Sequence, residues 1–486
     1  MSGQTASPAF RHVLCVYPYR REISNSAFFP PIGLEIIAGV VRPHARSIDV
    51  VDMRFESGRT RDFLREDTDL VCFSVNWNVD REFLCEEIRS VPPNVLTVLG
   101  GRHATESPDR WLADFPNVDA VVRGDGEEVM EDLCRGVPME QITGLSFRRD
   151  GRIVHNPNRA PGPLRDEAIP ARDLRRRTYE ARIRGAGTGL LVDLVSSSRG
   201  CPFNCTFCSF SRNPWGVKRG WSARSAASVV DEIASTEAQL VGFTDDLFTW
   251  DMDRVSEICE RLVARKIRKR YLVTARLEIA KRPDVLRKME RAGFLALGLG
   301  IESAHDRTLK SMRKGFDTAQ IREYCAVLRR TRMMLHGYFM IGNIGESVED
   351  MRRTVPFARE IGLDTIGLST LRSSPYSGLD ELVAASPGYH IDSEGKIYSD
   401  ACSGRALARL RRRLLAQFYT PLQFVRIFRK AVRNDVAFLL PAVLPRLLPI
   451  VSAMVSHSRR RSKRRAQQRR DALNRRDAET RRKAER

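Results

Sequence analysis

The sequence lacks the marks of a secreted, disulfide-stapled protein. Its first ten residues, MSGQTASPAF, carry neither the charged n-region nor the apolar h-region of a signal peptide. Seven of its ten cysteines are scattered, mostly in apolar or helical contexts, and predict reduced core thiols rather than a disulfide framework. No clean internal repeat is visible. These absences favour a cytoplasmic protein.

The charge is not evenly spread along the chain. The whole sequence of 486 residues carries a net charge of +21. Its last 28 residues, 459–486, hold fourteen Lys and Arg against four Asp and Glu, a net charge of +10. The body of the protein is therefore only moderately basic, and its length allows two or three domains.

Two regions alternate β-branched apolar runs with helical patterns, at 12–136 and at 190–385. This alternation predicts an α/β protein with parallel sheets covered by helices, and such sheets bind ligands beyond the carboxyl ends of their strands. Between the regions lie a predicted hairpin, with Asp150 and Gly151 at its turn, and a proline-rich stretch. The predicted segments are a Rossmann-like doubly wound domain at 1–144, a linker at 145–185, a barrel-like domain at 186–400, a helical region at 401–458 and a polybasic tail at 459–486.

Three cysteines share one short loop that follows the first strand of the second region. Cys201, Cys205 and Cys208 have the spacing C-x3-C-x2-C. Three thiolates on one loop can hold three irons of a 4Fe–4S cluster and leave the fourth iron open for chemistry. A zinc knuckle would normally need a fourth Cys or His at matching spacing, and none lies close by. A zinc site or three unrelated buried cysteines remains the alternative.

The segment CPFNCTFC resembles the signature of the radical S-adenosylmethionine (radical SAM) superfamily. The resemblance implies a partial (β/α)6 barrel in which the open iron binds SAM, and reductive cleavage of SAM gives a 5′-deoxyadenosyl radical. It also implies an external reductant such as flavodoxin or ferredoxin. Phe207, between two of the cysteines, is expected to pack near the adenine, with simple shielding of the cluster as the alternative.

The same resemblance implies SAM contacts at the ends of the next two barrel strands. Asp245 and Asp246 would accept a hydrogen bond from the methionine ammonium, with a helix N-cap as the alternative role. Arg276 would contact the SAM carboxylate, and a purely structural arginine is about equally favoured.

Two glycine-containing segments end the fourth and fifth barrel strands. In GLGIES, Gly300 permits close backbone approach, while Glu302 and Ser303 resemble the ribose and carboxylate contacts of the family. In FMIGNIGES, Gly342 resembles an adenine-facing position, and a tight turn with a helix cap is the alternative. The Pro-Gly-Thr segment that many family members carry next is replaced here by SSPYSGLDE, so this part of the pocket has diverged.

The first region resembles the cobalamin-binding domains that precede many radical SAM barrels, on the segments PPIGLEIIAG, LGGRHAT and VVRGDGEE. Glycine-rich turns at strand ends admit a flat corrin and its nucleotide tail without side-chain clash. The motif Asp-x-His-x-x-Gly is absent, so cobalamin is expected to bind without a protein His on cobalt. A domain that has lost its cofactor is the alternative. The expected contacts are Gly100, Gly101, His103, Gly124, Gly126 and Glu127.

The carboxyl-terminal arm mixes apolar and basic residues. Residues 405–434 place Leu, Phe and Tyr with Arg at helical spacing. Residues 436–455 are apolar, but three prolines and Arg446 favour an interfacial element over a spanning helix. With the polybasic tail, this predicts peripheral docking on the anionic inner face of a membrane. Nucleic acid is the less favoured partner because the tail lacks interleaved aromatics.

Together these resemblances imply a cobalamin-dependent radical SAM enzyme. The expected reaction is functionalisation, in the first place methylation, of an unactivated carbon of a hydrophobic small molecule. An oxidative cyclase or rearrangement enzyme of a tetrapyrrole or lipid pathway is the alternative among enzymes. An inert iron–sulfur scaffold protein is the alternative outside them.

Overall fold

The amino-terminal part of the chain forms one seven-stranded sheet. The computed structural model describes residues 9–20, 29–77, 81–183, 186–208, 218–373 and 377–434. The strands of the first sheet are β1 Phe10–Tyr17, β2 Ala45–Asp52, β3 Thr68–Ser74, β4 Leu96–Gly100, β5 Ala120–Val122, β6 Leu145–Arg149 and β7 Arg152–His155. The helices around it are α1 Ile32–Val41, α2 Arg81–Arg89, α3 Arg102–Glu106, α4 Pro108–Asp114 and α5 Glu127–Cys134.

The strand order of this sheet is β2-β1-β3-β4-β5-β6-β7. The first five strands are parallel, and β6 and β7 add an antiparallel hairpin at one edge. Separate apolar clusters cover the two faces, one around Trp111 and Phe115 and the other around Leu70 and Met130. A parallel sheet buried on both faces is what the continuous apolar runs predict, and the doubly wound domain is confirmed.

The second half of the described chain forms an open sheet of seven strands. The strands from here to the carboxyl-terminal arm are β8 Glu180–Ile183, β9 Ala186–Val195, β10 Ser198–Arg199, β11 Ser222–Ala223, β12 Leu240–Phe243, β13 Arg270–Ala275, β14 Phe294–Glu302, β15 Met334–Ile341, β16 Thr365–Thr370, β17 Tyr389–Ile391 and β18 Ile397–Ser399. The helices are α6 Ala226–Ser235, α7 Met252–Ala264, α8 Pro283–Ala292, α9 Asp306–Ser311, α10 Thr318–Leu328, α11 Val348–Arg352, α12 Thr354–Glu360, α13 Leu379–Ala384, α14 Gly404–Phe418 and α15 Pro421–Arg433.

The order β16-β15-β14-β13-β12-β9-β8 gives six parallel strands in sequential order, with β8 antiparallel at one edge. The two edge strands, β16 and β8, do not pair with each other, so the sheet is a partial barrel. All six strand–helix units predicted from the sequence are present. Their carboxyl ends therefore share one edge, which is where barrel active sites gather.

The connector between the two sheets is part of the packed structure. The predicted hairpin is confirmed, with Asp150 and Gly151 both at positive φ in its turn. Further along, Arg175 bridges two buried carboxylates: its Nη2 lies 2.7 Å from Oε2 of Glu35 on α1 and 2.9 Å from Oδ1 of Asp193 on β9. Removing one member of such a buried ion group leaves an uncompensated charge. The connector thus ties the orientation of one domain to the other.

Two helices follow the barrel, as the helical spacing of residues 405–434 predicted. Helix α14 packs on the barrel through buried Leu407, Leu414 and Phe418. The hydroxyl of Tyr419 donates to the carbonyl of Ile366 at 2.9 Å and accepts from its N–H at 3.0 Å. In the part of the chain that the structure describes, no helix has the length and apolarity to cross a bilayer. The predicted interfacial element and the tail lie outside the described residues.

Candidate active site and cofactor cavity

The cysteine loop begins directly after β10, at a position that only glycine can occupy. Gly200 has φ +83°, and a Cβ there would lie 2.3 Å from the carbonyl oxygen of Gly220. Two backbone hydrogen bonds then shape the loop: Cys208 N–H donates to Cys205 O at 3.1 Å, and Thr206 N–H donates to Met312 O at 3.1 Å. The loop is therefore fixed at the carboxyl-terminal edge of the barrel.

The three cysteines of this loop fit an iron–sulfur cluster by their chemistry. Cys201, Cys205 and Cys208 are partly buried, whereas the other seven cysteines are buried. Burial raises the pKa of the Cys201 thiol, so ligation there must displace a proton. Among the described residues, no three His, Cys, Asp or Glu side chains are arranged as a metal-binding group. The donor set, three accessible sulfurs on one tight loop, is still that of a cluster with one open iron.

Asp245 is committed to the segment that precedes the loop. Its Oδ1 accepts from Ser197 N–H at 2.9 Å, and its Oδ2 accepts from the hydroxyls of Ser197 and Ser198 at 2.6 and 2.5 Å. Burial nevertheless raises its pKa. The N-cap alternative is wrong, because helix α7 begins later and is capped by Asp251, which accepts from Arg254 N–H at 2.9 Å. Asp245 instead fixes the approach to the cysteine loop.

Asp246 acts on the loop itself. Its Oδ2 accepts from Gly200 N–H at 2.8 Å, one residue before the first cysteine. Burial raises the pKa of this carboxyl as well. Unlike Asp245, it uses one oxygen for this bond and is only partly buried. Of the two aspartates, Asp246 is therefore the one with an oxygen left for a bound ammonium group.

Arg276 holds a residue of the loop by its face. Its guanidinium carbon lies 3.7 Å from the ring centroid of Phe203. The same guanidinium pairs with Glu278, with Nη2 at 2.8 Å from Oε1, and donates to the carbonyl of Lys314 at 2.8 Å. The contacts that Arg276 makes with the protein are therefore those of a structural arginine.

Glu302 forms a buried ion pair at the end of β14. Its Oε1 lies 2.9 Å from Nζ of Lys314, and both side chains are at most 10% exposed. Glu302 has φ +71°, an uncommon backbone conformation for a residue with a side chain. A Cβ on Gly300 would lie 2.7 Å from Glu302 Oε1 and 2.9 Å from Lys314 Nζ. Gly300 thus leaves room for this ion pair.

The remaining barrel positions make local contacts. The Ser303 hydroxyl accepts from His305 N–H at 3.2 Å. Gly342 N–H donates to Oε2 of Glu346 at 2.8 Å, and a Cβ on Gly342 would lie 2.7 Å from Leu407 of α14. These contacts match the tight-turn alternative for Gly342.

Phe207 packs into a small apolar cluster at the same edge of the barrel. Met340 and Ile344, from the segment that resembles the adenine-facing one, belong to that cluster. The Nζ of Lys314 lies 5.8 Å from the Phe207 ring centroid. The structure thus brings together Phe207 and the segment at 339–347, which the sequence assigned separately to the adenine.

The first sheet has a cavity of about 210 Å³ at its carboxyl edge. Five of the six predicted cobalamin contacts line it: Gly100, Gly101, Gly124, Gly126 and Glu127. The glycines keep it open, since a Cβ on Gly126 would lie 2.9 Å from Ile37 and one on Gly100 would meet no atom within 3.8 Å. A cavity of this size is below the roughly 300–1,000 Å³ of whole-ligand pockets. It has room for only a part of a cobalamin.

His103 does not line this cavity. Its ring stacks edge-on against Trp111 with centroids 5.7 Å apart, and its Nδ1 lies 3.6 Å from Oε2 of Glu106. Its N–H donates to the carbonyl of Val75 at 3.0 Å. The described contacts of His103 are thus all to other protein groups. None of the residues that line the cavity is a histidine.

A pair of arginines joins the cavity to the cysteine loop. Arg199, two residues before Cys201, lines the cavity and places Nη2 2.5 Å from Oε1 of Glu127. Arg219 pairs with Asp125 in the same turn. Although burial alone raises it, the pKa of Glu127 is lowered overall by the charge of Arg199. The edges of the two sheets thus meet at a partly buried group of ion pairs.

Sequence reasoning missed Lys314, Ser197, Ser198, Arg199 and Arg219. The serines and Arg199 stand in the run SSSRG, which directly precedes Cys201, but nothing in the run shows which carboxylates they face. In the sequence SMRKGF, Lys314 cannot be distinguished from a lysine on the surface. Their partners are identified only in the folded structure, because the strand order of the second sheet decides which residues lie next to them.

Two family models match this chain. Residues 195–358 match the Radical SAM superfamily, and residues 26–134 match the B12 binding domain. The match boundaries fall on the barrel and on the doubly wound sheet. The cysteine loop and the glycine-lined cavity lie inside the respective matches.

Three curated relatives are similar over most of the two domains. An uncharacterized methyltransferase of Pyrococcus horikoshii is 28% identical over 365 residues, which are 72% of this chain and 77% of that protein. The anaerobic magnesium-protoporphyrin IX monomethyl ester cyclase of Rubrivivax gelatinosus is 28% identical over 304 residues, 60% of this chain and 54% of the cyclase. The hopanoid C-3 methylase of Methylococcus capsulatus is 29% identical over 324 residues, 62% of this chain and 59% of the methylase.

A solved structure shares the fold over nearly the whole described chain. It is the radical S-adenosylmethionine methyltransferase TsrM from Kitasatospora setae with cobalamin and a [4Fe-4S] cluster bound. The TM-score is 0.67 at 18% identity, over 85% of this chain and 92% of that one. This likeness shows that the two domains described here form a known combined architecture.

Proposed function

Because this chain is a radical SAM enzyme with an amino-terminal B12-binding domain, we propose that it methylates an unactivated carbon of a hydrophobic small molecule. The observation that carries the proposal is the contact between the two cofactor regions. Arg199 lines the cavity of the B12-binding domain and lies two residues before Cys201. A methyl carrier and a radical source serve one reaction only if they are neighbours.

The residues of this chain take distinct roles in the proposed reaction. Cys201, Cys205 and Cys208 would hold the cluster, and Asp246, with its second oxygen, would orient the methionine ammonium of SAM. When bound, the cluster supplies the electron that cleaves SAM, and cobalamin supplies the methyl group. Gly100 and the neighbouring glycine turns would hold part of the cobalamin.

The side chains around the loop would exclude water and keep it in place. Phe207 and its apolar cluster cover one side, and Phe203 under Arg276 covers another. Glu302 and Lys314 neutralise each other in the protein interior. The end of strand β14 would therefore face a bound ribose without presenting an unpaired charge. Exclusion of water protects a reactive intermediate from side reactions.

The substrate class and location are the finer parts of the proposal. Hydrophobic substrates are supported by the similarity to a hopanoid methylase. We further propose that the protein works in the cytoplasm at the inner face of a membrane, with a flavodoxin or ferredoxin as reductant. The basic carboxyl-terminal residues support this location.

A second candidate is radical oxidative cyclisation of a tetrapyrrole without methyl transfer. It is favoured by the similarity to the anaerobic cyclase. That enzyme would share the cluster loop and the B12-binding domain, so the two candidates differ in the fate of SAM. Methyl transfer consumes one SAM as radical source and another as methyl donor, whereas cyclisation consumes only the first.

The test is an anaerobic assay of the full chain with cobalamin and reconstituted iron and sulfide. The protein is reduced and given SAM with a panel of polycyclic lipids and tetrapyrroles, and both nucleoside products are measured. Methylation predicts 5′-deoxyadenosine and S-adenosylhomocysteine together with a methylated product. Release of 5′-deoxyadenosine alone with a cyclised product would replace methylation by the second candidate. If reduced wild-type protein releases no 5′-deoxyadenosine, the enzymatic proposal fails.

A further inference from the structure

Helix α15 contacts the barrel through polar groups instead of apolar ones. The Nε2 of Gln423 donates to the carbonyls of Leu363 and Asp364 at 3.2 and 2.7 Å. The Nζ of Lys430 lies 2.7 Å from Oδ2 of Asp364, and Nδ2 of Asn434 donates to Leu295 O at 3.0 Å. A surface helix of a globular protein normally does the reverse and turns its apolar stripe inward. Apolar burial therefore does not explain where α15 lies.

The opposite side of α15 exposes a cluster of large apolar side chains. Its members are between 52% and 70% exposed, and they are Leu422, Phe424, Val425, Phe428 and Val432. They are five of the twelve exposed large apolar residues in the described parts of the chain. Isolated exposed apolar residues are ordinary, but a contiguous group marks an interaction site. Arg426, Arg429 and Arg433 are also exposed on this helix.

A cationic groove of about 750 Å³ adjoins the end of this helix and shares Arg433 and Asn434 with it. Seven Lys and Arg side chains line the groove against two carboxylates. The carboxylates are already engaged: Asp284 pairs with Arg282, and Glu290 accepts a backbone N–H. Within the ranges that the structure describes, the side chains of Arg268, Arg287, Arg291 and Arg433 form no ion pair. The groove therefore carries unneutralised positive charge.

We propose that the apolar side of α15 and this groove form one docking surface for an anionic phospholipid bilayer. This rests on the proposed location at a membrane and names the surface that makes the contact. An apolar helix side next to arginines is suited to lie in the interface, with Phe424 and Phe428 toward the acyl chains and the arginines on lipid phosphates. The chain continues from residue 435 into an apolar and then a polybasic segment, which adds attraction of the same sign.

This surface lies at the end of the barrel opposite to the cysteine loop. Asp364 and Leu295, which bind α15, are at the amino ends of β16 and β14, whereas the loop is at the carboxyl end of the first barrel strand. Docking would therefore leave the cofactor edge turned away from the bilayer and accessible to a soluble reductant. Changes in the surface should not alter SAM cleavage.

The test measures binding of the full chain to vesicles by flotation. Vesicles of phosphatidylcholine with an equal part of phosphatidylserine are compared with vesicles of phosphatidylcholine alone. Two double variants remove the surface, Phe424→Gln with Phe428→Gln and Arg287→Gln with Arg291→Gln. Matched controls are Val263→Gln, an exposed apolar residue on α7, and Arg61→Gln, a side chain 72% exposed on the first domain.

The wild type and both controls are expected to bind the anionic vesicles only. Each double variant should bind at least roughly tenfold more weakly, with SAM cleavage and melting temperature unchanged. If the phenylalanine variant bound the vesicles as tightly as the wild type, the proposed docking surface would be wrong and the attachment would be assigned to the tail alone. A dimer that dissociates in that variant would assign the surface to a second copy and also overturn the proposal. Vesicle binding without any SAM cleavage would contradict the proposed function and leave the docking surface standing.

Discussion

The carboxyl edges of the two sheets use their motif residues in different ways. In the first sheet, Gly100 and Gly126 shape a cavity by having no side chain. In the barrel, Asp245, Arg276 and Glu302 are all occupied by bonds to other parts of the protein. One edge is built by leaving space, and the other by bonds between charged groups that hold a loop.

This difference separates two ways in which a residue serves a cofactor. A glycine can only leave space, so the role of a glycine at a strand end follows from its position. A carboxylate or guanidinium can bind any of several partners, and the partner that it actually binds determines its role. Both carboxylate oxygens of Asp245 accept hydrogen bonds from Ser197 and Ser198, so the contacts that the structure shows for it are positioning contacts.

The largest expected effect tests whether the barrel edge depends on its cysteine loop. Cys201→Ala should reduce SAM cleavage to background and remove the visible absorbance of the reconstituted cluster, because two thiolates cannot hold three irons. Cys402→Ala, which removes a buried thiol outside the loop, is the control and should keep both signals. An intact cluster spectrum in Cys201→Ala would show that this residue is not a ligand.

The next effect tests whether Asp245 is structural, as its contacts indicate. Asp245→Ala should lower the free energy of unfolding by about 3 kcal/mol, because it leaves three donors of the buried Ser197 and Ser198 without their acceptor. Asp246→Ala loses one bond to a partly buried carboxylate and should cost about 1 kcal/mol. Urea unfolding measures both. Equal losses would remove the distinction between the two aspartates.

The sequence predicted what depends on periodicity and on space. The continuous apolar runs predicted both parallel sheets, and the glycines of LGGRHAT and VVRGDGEE predicted a cavity that the structure contains. Helices α3 and α4 were not predicted, because they are short and the chain breaks at Ser107, directly before Pro108 begins α4. Strand β8 lies in the stretch assigned to the linker, and its pairing with β9 depends on tertiary contact.

The site was predicted less completely, for a physical reason. A charged side chain at a strand end faces groups from distant parts of the chain, and their identity is decided by folding. Lys314 was missed because its partner, Glu302, is twelve residues away, on the other side of helix α9. Helix capping was the alternative role for Asp245 and Asp246 because they precede a helical pattern, yet the helix starts only at Met252.

Two substitutions at neighbouring glycines test the carboxyl edge of the first sheet, and they have different expected outcomes. Gly101→Ala should cost about 2 kcal/mol or more, since the residue has φ +95° and a Cβ would lie 2.6 Å from Asn76 Oδ1. Gly100→Ala meets no atom closer than 3.9 Å, so it should fold normally and instead weaken cobalamin binding by filling part of the cavity. Thermal unfolding and titration followed by cobalamin absorbance measure the two effects. Unchanged cobalamin affinity in Gly100→Ala would mean that the cofactor does not enter this cavity.

The smallest effect compares one carboxylate from each edge by its response to pH. Burial raises the pKa of Asp245, so its contribution to stability is full below the unfolded value of about 3.9 and is lost as the pH rises through the folded pKa. Burial also acts on Glu127, but Arg199 lowers its pKa overall. Its contribution is full above about 4.3 and is lost as the pH falls through the folded pKa.

The two matched variants, Asp245→Asn and Glu127→Gln, should therefore show opposite slopes. Relative to Asp245→Asn, the wild type loses stability as the pH rises from about 4. Relative to Glu127→Gln, it loses stability as the pH falls below about 4.3, and neither slope can exceed about 1.4 kcal/mol per pH unit for one proton. Urea unfolding of cofactor-free protein across this range is the measurement. Slopes of the same sign would mean that Arg199 does not control Glu127 at the contact between the domains, and the electrostatic link from the cavity to the cysteine loop would then fail.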